Sequence, residues 1–377
     1  MTGWGVRRIG AVVAMAVALL AVVVPAGHGR PAPAAAGAPN DLVYVAMGDS
    51  YTSGPLVLPH DTTWVPQDCA QSYFNYPHLA AAAIGATSFT DVSCGSATID
   101  NLYETQDGLP TGGANPPQLD AVGPDTDVVT LGMGGNDVGF VGLALDCVRL
   151  LGPPLEQPCT PLFTAGGIDS VSADIAEVGP ELGDAIEAIH AKAPGAEVFI
   201  VGYPAALPDN GQACWPYVPI LPADMPYLVA KFKEMNAMLA EQAAAHDATY
   251  VDVYTSGIGH DACQIPLVAW VNGVVVVPPS FPAHPNQLGL ADSGRVVAAT
   301  IQQRLAANAA AAAAVPAAAP VPAPAAAPPS APARGPDGIT ALPITGGEQT
   351  PVAALVVLLG ALATVRLSRR GAPPAGR

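Results

Sequence analysis

Residues 48–54, Gly-Asp-Ser-Tyr-Thr-Ser-Gly, decide the fold, and they stand directly behind the apolar run Leu42–Met47. The apolar run predicts a buried strand, and Gly48 permits a sharp turn at its end. The small polar residues after the turn can cap and begin a helix. A strand that ends in this way would hold the hydroxyl of Ser50 at the edge of a sheet.

Two later segments place further polar side chains at comparable positions. Residues 134–137, Gly-Gly-Asn-Asp, follow a second predicted strand, Asp127–Met133, and residues 284–286, His-Pro-Asn, open the last predicted helix. Together with the serine of the first stretch they supply a nucleophile, an amide donor in Asn136 and an imidazole base in His284. These are the groups that acyl transfer requires.

Apolar, β-branched runs alternate with helical stretches through the middle of the chain. The predicted strands are Leu42–Met47, Thr87–Val92, Asp127–Met133, Ala196–Gly202 and Thr249–Tyr254. The predicted helices are Pro77–Ile84, Val171–Ala193, Tyr227–Ala245 and Gln287–Ala306. This alternation favours an α/β fold, a parallel sheet with helices on both faces. Sites in such folds lie beyond the carboxyl ends of the strands, where Ser50 and Asn136 are expected.

Four segments resemble, in order, the sequence blocks of the SGNH hydrolases, which are also called GDSL-type esterases and lipases. The matches are residues 48–50, residues 94–98 (Cys-Gly-Ser-Ala-Thr), residues 134–137 and residues 284–289 (His-Pro-Asn-Gln-Leu-Gly). The resemblance implies a flavodoxin-like three-layer α/β/α domain over residues 39–306. It also implies a serine hydrolase of carboxylic esters that needs neither a metal nor an organic cofactor.

The same resemblance implies roles for individual residues. Ser50 is expected as the nucleophile and His284 as the general base. An oxyanion hole is expected from the backbone N–H of Ser50, a second backbone N–H and the side chain of Asn136. The glycine that usually supplies the second N–H is replaced here by Ser96, and Gly95 lies one position earlier, so both are candidates.

One position departs from the family pattern. An acid usually stands three residues before the histidine, where this chain has Phe281. Such an acid orients the imidazole and stabilises its charged form. Some secreted actinobacterial relatives use a main-chain carbonyl instead, which implies that the carbonyl of Phe281 holds Nδ1 of His284. An acid from elsewhere, such as Asp292, stays an open alternative, and His260 is the rival histidine.

All the cysteines of the chain fall inside the predicted domain, at Cys69, Cys94, Cys147, Cys159, Cys214 and Cys263. An even number behind a secretory signal indicates disulfides, and the Cys-x-x-Cys spacing of many zinc sites is missing from the sequence. Secreted actinobacterial members of the resembled family pair their cysteines in sequence order. The resemblance therefore implies the pairs Cys69–Cys94, Cys147–Cys159 and Cys214–Cys263.

The N-terminal region, residues 1–38, is predicted to be a secretory signal. Arg7 and Arg8 precede the apolar run Ile9–Val24, and several small residues that a signal peptidase could recognise follow it. Far along the chain, residues 307–341 are rich in alanine and proline, which predicts a stiff, disordered spacer.

The C-terminal region, residues 342–377, resembles a Gram-positive cell-wall sorting signal. It begins with Leu-Pro-Ile-Thr-Gly and continues with an apolar stretch, Pro351–Val365, and a basic end. In such signals a sortase cuts between the threonine and the glycine, here Thr345 and Gly346, and links the protein to peptidoglycan. The expected location is therefore the wall of a Gram-positive, actinobacterial cell, with a C-terminal membrane anchor as the alternative.

The formal net charge of −17 at pH 7 argues against nucleic acid as a partner. We expect a monomeric, surface-anchored hydrolase of lipid or other acyl esters, with sortase and peptidoglycan as its further partners. Two alternatives stay open, a carbohydrate O-acetyl esterase and an inactive surface-binding module on the same fold.

Overall fold

The computed structural model describes residues 41–314, except residues 154 and 275. The predicted secretory signal, the predicted sorting signal with Thr345 and Gly346, and the predicted spacer from residue 315 onward lie outside these residues. Within the described part of the chain, no helix is both long enough and apolar enough to span a membrane.

Five parallel strands form one sheet in the order β2-β1-β3-β4-β5. Their bounds are β1 Val43–Gly48, β2 Ser88–Asp91, β3 Val128–Gly132, β4 Glu197–Val201 and β5 Thr249–Val251. Each strand overlaps one of the five predicted segments. The central strand β3 is buried along its whole length, as expected for a sheet that is covered on both faces. The predicted α/β class with a parallel sheet is confirmed.

The α-helices are α1 Ser50–Ser53, α2 Tyr76–Ile84, α3 Phe140–Cys147, α4 Thr160–Phe163, α5 Ser170–Lys192, α6 Met225–Ala245, α7 Tyr254–Gly257 and α8 Gln287–Ala314. Short 3₁₀ turns lie at Gln67–Cys69, Ile99–Leu102, Gln118–Ala121 and Ala165–Gly167. Side chains of α2 and α8 form a core with one face of the sheet, and side chains of α5 and α6 form a second core with the other. The three layers follow from these two cores.

Helix α8 continues beyond the predicted domain boundary at Ala306. It runs to Ala314 through an alanine-rich stretch, and alanine has the highest helix propensity. Arg304 forms an ion pair with Glu197 at 2.7 Å, and Asn308 also contacts Glu197. The first residues of the predicted spacer are therefore helical and are joined to the amino end of β4.

The cysteines form the three disulfides implied by the resemblance, Cys69–Cys94, Cys147–Cys159 and Cys214–Cys263. The first joins a 3₁₀ turn to the loop that follows β2, and the second joins the end of α3 to the residue before α4. The pairing in sequence order is confirmed.

Candidate active site

The carboxyl ends of β1 and β3 lie side by side, and this pairing positions the candidate nucleophile. Gly48 is paired with Gly132 in the sheet, and Ser50 begins α1 two residues later. A Cβ atom at Gly48 would overlap the side chain of Thr52 and the carbonyl oxygen of Gly132. Only glycine therefore fits at this turn, and its small size lets α1 start directly at the edge of the sheet.

The side chains of Ser50 and His284 lie in contact. Nε2 of His284 is 2.7 Å from Oγ of Ser50, although the two residues are 234 positions apart. Nδ1 of the same ring is 2.9 Å from the carbonyl oxygen of Pro282. Because a carbonyl only accepts hydrogen bonds, Nδ1 carries the proton and Nε2 accepts from the serine. This tautomer is the one that a general base requires.

The carbonyl that holds the imidazole belongs to Pro282, so the prediction of Phe281 was wrong. The carbonyl of Phe281 instead accepts the backbone N–H of His284 at 3.1 Å, which closes a tight turn. With that oxygen engaged in the turn, the next carbonyl along the chain faces the ring. Burial lowers the pKa of His284 below its ordinary value, and the hydrogen bond to Pro282 partly opposes this shift.

The two alternatives, Asp292 as the acid and His260 as the histidine, form other contacts. Asp292 forms an ion pair with Arg295 at 2.6 Å. The rival histidine, His260, stacks on Trp270 with ring centroids 3.7 Å apart, and its Nδ1 lies 2.8 Å from the carbonyl oxygen of Val268. In the described part of the chain, the ring nitrogens of His284 hydrogen-bond only to Pro282 and Ser50.

The existing hydrogen bonds distinguish the predicted oxyanion donors that are available to a ligand from the one that is already engaged. The N–H of Gly95 donates to the carbonyl of Cys69 at 3.0 Å, so Gly95 was wrong as a candidate. Over the residues that the structure describes, the N–H groups of Ser50 and Ser96 have no protein acceptor. Ser96 has φ 65°, a left-handed conformation that glycine usually adopts. Nδ2 of Asn136 donates to the carbonyl of Ala97 at 2.9 Å, which places its amide beside Ser96 and leaves one N–H for a ligand.

A buried hydrogen-bond network joins the turns that carry Ser50 and Asn136. Asp49 accepts the N–H of Tyr51 at 2.8 Å and the hydroxyl of Tyr203 at 2.6 Å. The same hydroxyl accepts the N–H of Gly135 at 2.7 Å. Burial raises the pKa of Asp49 to about 7, against the lowering effect of the Tyr203 hydrogen bond. Sequence reasoning missed Tyr203, although its place just after a predicted strand was a usable signal.

A cavity of about 420 Å³ opens at this site, and its lining includes Ser50, Asn136 and His284. This volume lies in the usual range for small-molecule pockets. Most of the remaining lining is apolar and comes from α3, α6 and the loops before α6 and α8, with Phe140, Leu143, Leu207, Ile220, Phe232 and Met235 among the side chains. Such a cavity suits a hydrocarbon chain.

Known proteins are similar to this chain over most of the described residues. A model of the GDSL-like lipase/acylhydrolase family matches residues 46–291. Lipase 2 of Streptomyces coelicolor is 35% identical over 288 residues, which cover 75% of this chain and 93% of that relative. The crystal structure of an extracellular lipase from Streptomyces rimosus has a TM-score of 0.56 at 28% identity and covers 69% of this chain and 99% of its own. Phospholipase A1 from Streptomyces albidoflavus, at 25% identity and with the same coverage, has a TM-score of 0.55.

The matched region contains the end of β1, the other four strands of the sheet, the contact between Ser50 and His284, and the cavity beside them. Sequence similarity, fold and site geometry thus lead to the same class of enzyme. The chain is an ester hydrolase that belongs to the GDSL-like lipase/acylhydrolase family.

Proposed function

We propose that the protein hydrolyses esters through a Ser–His dyad. Ser50 Oγ attacks the ester carbonyl while Nε2 of His284 takes its proton, and the imidazolium then returns the proton to the leaving alcohol. Water, activated by the same nitrogen, releases the acid from the acyl-enzyme. The observation that carries this proposal is the 2.7 Å contact between Oγ and Nε2 with a carbonyl behind the ring.

The negative oxygen of the tetrahedral intermediate would be bound by the N–H groups of Ser50 and Ser96 and by the side-chain amide of Asn136. Two facts support this assignment. Both backbone N–H groups lack a protein acceptor among the described residues, and the amide of Asn136 is fixed beside Ser96 through Ala97. Donors that are held in place before the reaction stabilise developing charge without reorganisation.

We propose a lipid acyl ester as the substrate class. The apolar cavity beside Ser50 can bury an acyl chain, at about 0.8 kcal/mol for each methylene group. Val141, Leu145, Val274 and Phe281 belong to the cavity lining and are also exposed, so the apolar surface continues to the outside of the protein. The name of the similar phospholipase A1 supports the same class. An acetyl group, as in a carbohydrate O-acetyl ester, would leave most of this cavity unfilled.

The test of the proposed reaction is hydrolysis of p-nitrophenyl esters of graded chain length by the purified protein. We expect Ser50→Ala and His284→Ala each to lower kcat by roughly 10⁴-fold or more. Asn136→Ala should lower kcat by roughly 10²–10³-fold because one oxyanion donor is lost. The control His260→Ala should keep its activity. Activity that survives in Ser50→Ala would exclude this serine as the nucleophile.

We also propose that the enzyme is exported and linked to the cell wall through residues 342–346. The three disulfides, which form in oxidising compartments, and the similar extracellular lipase of Streptomyces rimosus support export. Pro343→Ala should move the protein out of the wall fraction, whereas the control Thr350→Ala should leave it there. Native protein found free in the medium would contradict wall linkage, and native protein in the membrane fraction would favour a membrane anchor.

A further inference from the structure

The imidazole of His284 is oriented by a backbone carbonyl rather than by a carboxylate. A carboxylate holds a histidine by charge as well as by a hydrogen bond, whereas a carbonyl is neutral. The orientation of this ring therefore depends on how firmly the peptide groups between Phe281 and His284 are fixed. Hydrogen bonds that fix those peptide groups therefore also fix the imidazole ring.

Ala283 lies at the centre of this turn in an unusual conformation. Its φ is 60°, in the left-handed region that costs a residue with a side chain roughly 1 kcal/mol or more. Its N–H donates to the carbonyl of Asn272 at 2.7 Å, and this N–H shares a peptide plane with the carbonyl of Pro282. Its own carbonyl accepts a hydrogen bond from the hydroxyl of Tyr51 at 2.6 Å, and that plane continues into His284.

Tyr51 also contacts His284 through its aromatic ring. Its ring lies beside the imidazole of His284, with ring centroids 4.8 Å apart. Its backbone N–H donates to Asp49 at 2.8 Å, and in sequence it follows Ser50 directly. Burial raises the pKa of the Tyr51 hydroxyl further above its ordinary value, so the group stays protonated as a donor. One side chain thus joins the helix of the nucleophile to the turn of the base.

We propose that Tyr51 is a positioning residue, whose hydroxyl holds Ala283 in its left-handed conformation and so aims Nε2 of His284 at Ser50. The proposal rests on the dyad proposed above. In an enzyme without a third acid, this hydrogen bond together with the Pro282 carbonyl does the orienting that a carboxylate does elsewhere.

Tyr51→Phe is the direct test because it keeps the ring and removes the hydroxyl. With p-nitrophenyl esters we expect kcat to fall roughly tenfold and KM to stay within about twofold, since phenylalanine keeps the ring that Tyr51 contributes to the cavity lining. The acid limb of the pH profile of kcat/KM should move to higher pH, because a looser imidazole is more hydrated. Ser50 should also react more slowly with a fluorophosphonate.

The control is Tyr44→Phe, which likewise removes only a tyrosine hydroxyl, here from a fully buried side chain. That hydroxyl bonds to Thr130 at 2.8 Å within the core formed with α2 and α8. The control should lower the melting temperature and leave kcat and the pH profile unchanged. An unchanged kcat in Tyr51→Phe, or the same loss in both variants, would overturn the proposal. A parent protein without activity would instead contradict the dyad itself.

Ala283→Gly tests the other partner of the hydrogen bond. Glycine adopts positive φ freely but also leaves it freely, so kcat should fall with little change in KM. Because both substitutions loosen one contact, Tyr51→Phe should cost less in the Ala283→Gly background than in the parent. Fully multiplicative effects would show that the two residues act independently and would overturn the proposal.

Discussion

At the scale of single residues, His284, the proposed base, lies between a hydroxyl and a neutral carbonyl. Its ring is almost completely buried, and burial lowers its pKa. In the described residues no carboxylate bonds to the ring, so none opposes that shift. The neutral form that accepts a proton from Ser50 is consequently favoured even in mildly acidic solution.

This arrangement predicts the pH dependence of the reaction. The acid limb of kcat/KM, which reports the free enzyme, should have an apparent pKa below about 6.5, the ordinary value for histidine. Hydrolysis of a soluble short-chain ester between pH 4 and 9 would measure it. An acid limb above that value would indicate that a negative charge acts on the ring.

The residues proposed to act on the substrate could be predicted from the sequence, but the contacts that hold them in place could only partly be predicted. Ser50, Asn136 and His284 stand in local motifs at strand or helix ends, where the chain order alone brings them to one edge. The assignments of Phe281 and Gly95 failed because each depended on which carbonyl or N–H was already engaged in another hydrogen bond. Tertiary contacts decide which of these groups is already hydrogen-bonded, and a local sequence pattern does not show those contacts.

At the scale of elements, α3 forms one wall of the cavity and reaches the surface of the protein. The sequence analysis assigned no helix to Phe140–Cys147. Val141 and Leu145 are exposed while Leu143 is buried, and all three belong to the cavity lining. The helix therefore presents an apolar surface both to the cavity and to the outside.

Ala144 of α3 offers a way to shorten the cavity. Ala144→Phe should lower kcat/KM for long-chain esters by roughly tenfold or more, since several methylene groups at about 0.8 kcal/mol each lose their place. Short-chain esters should be hydrolysed as before. The control is Ala82→Phe on the exposed side of α2. Equal losses for short and long chains would exclude an acyl-chain role for the cavity.

The disulfide Cys69–Cys94 supports the loop that carries Ser96. The carbonyl of Cys69 accepts the N–H of Gly95, so the bridge and the loop that carries Ser96 are joined directly. Replacing both cysteines by alanine should lower the free energy of unfolding by about 3 kcal/mol and should also lower kcat for every chain length.

The comparison is the double alanine variant of Cys147 and Cys159, which lie at the end of α3 and before α4. It should lose comparable stability, but its activity should change mainly with long-chain esters. Chemical denaturation and kinetics on the two variants would check this. An unchanged kcat in the variant that lacks Cys69 and Cys94 would show that this loop does not contribute to the oxyanion site.

At the scale of the whole molecule, the alternation of strands and helices was enough to predict the layered fold. Two buried cores on opposite faces of one sheet explain why: the three inner strands β1, β3 and β4 need apolar residues on both sides, and that requirement is visible in the sequence. The end of α8 was less predictable, because an alanine run can continue a helix or begin a spacer. The contacts of Arg304 and Asn308 with Glu197 decide in favour of the helix.

Buried Asp49 ties the stability of the whole domain to pH. Its pKa is about 7 when folded against 3.8 in the unfolded chain, so the folded state binds the proton more tightly. Stability should therefore fall as the pH rises from about 4 to about 7, by at most roughly 4 kcal/mol from this group. Asp49→Asn should flatten that slope in chemical denaturation series. A slope that is unchanged in Asp49→Asn would assign the pH dependence to other carboxyls.

The bridge between Cys69 and Cys94 also affects the stage at which the enzyme becomes able to attack the cell that makes it. An enzyme that accepts acyl chains could attack the membrane of the cell that makes it. The bridge is joined to the loop with Ser96 through the hydrogen bond between Gly95 and Cys69, and reducing conditions inside a cell oppose its formation. If the enzyme is exported as proposed, oxidation outside the cell would fix this loop only after the enzyme has left the membrane of its own cell behind.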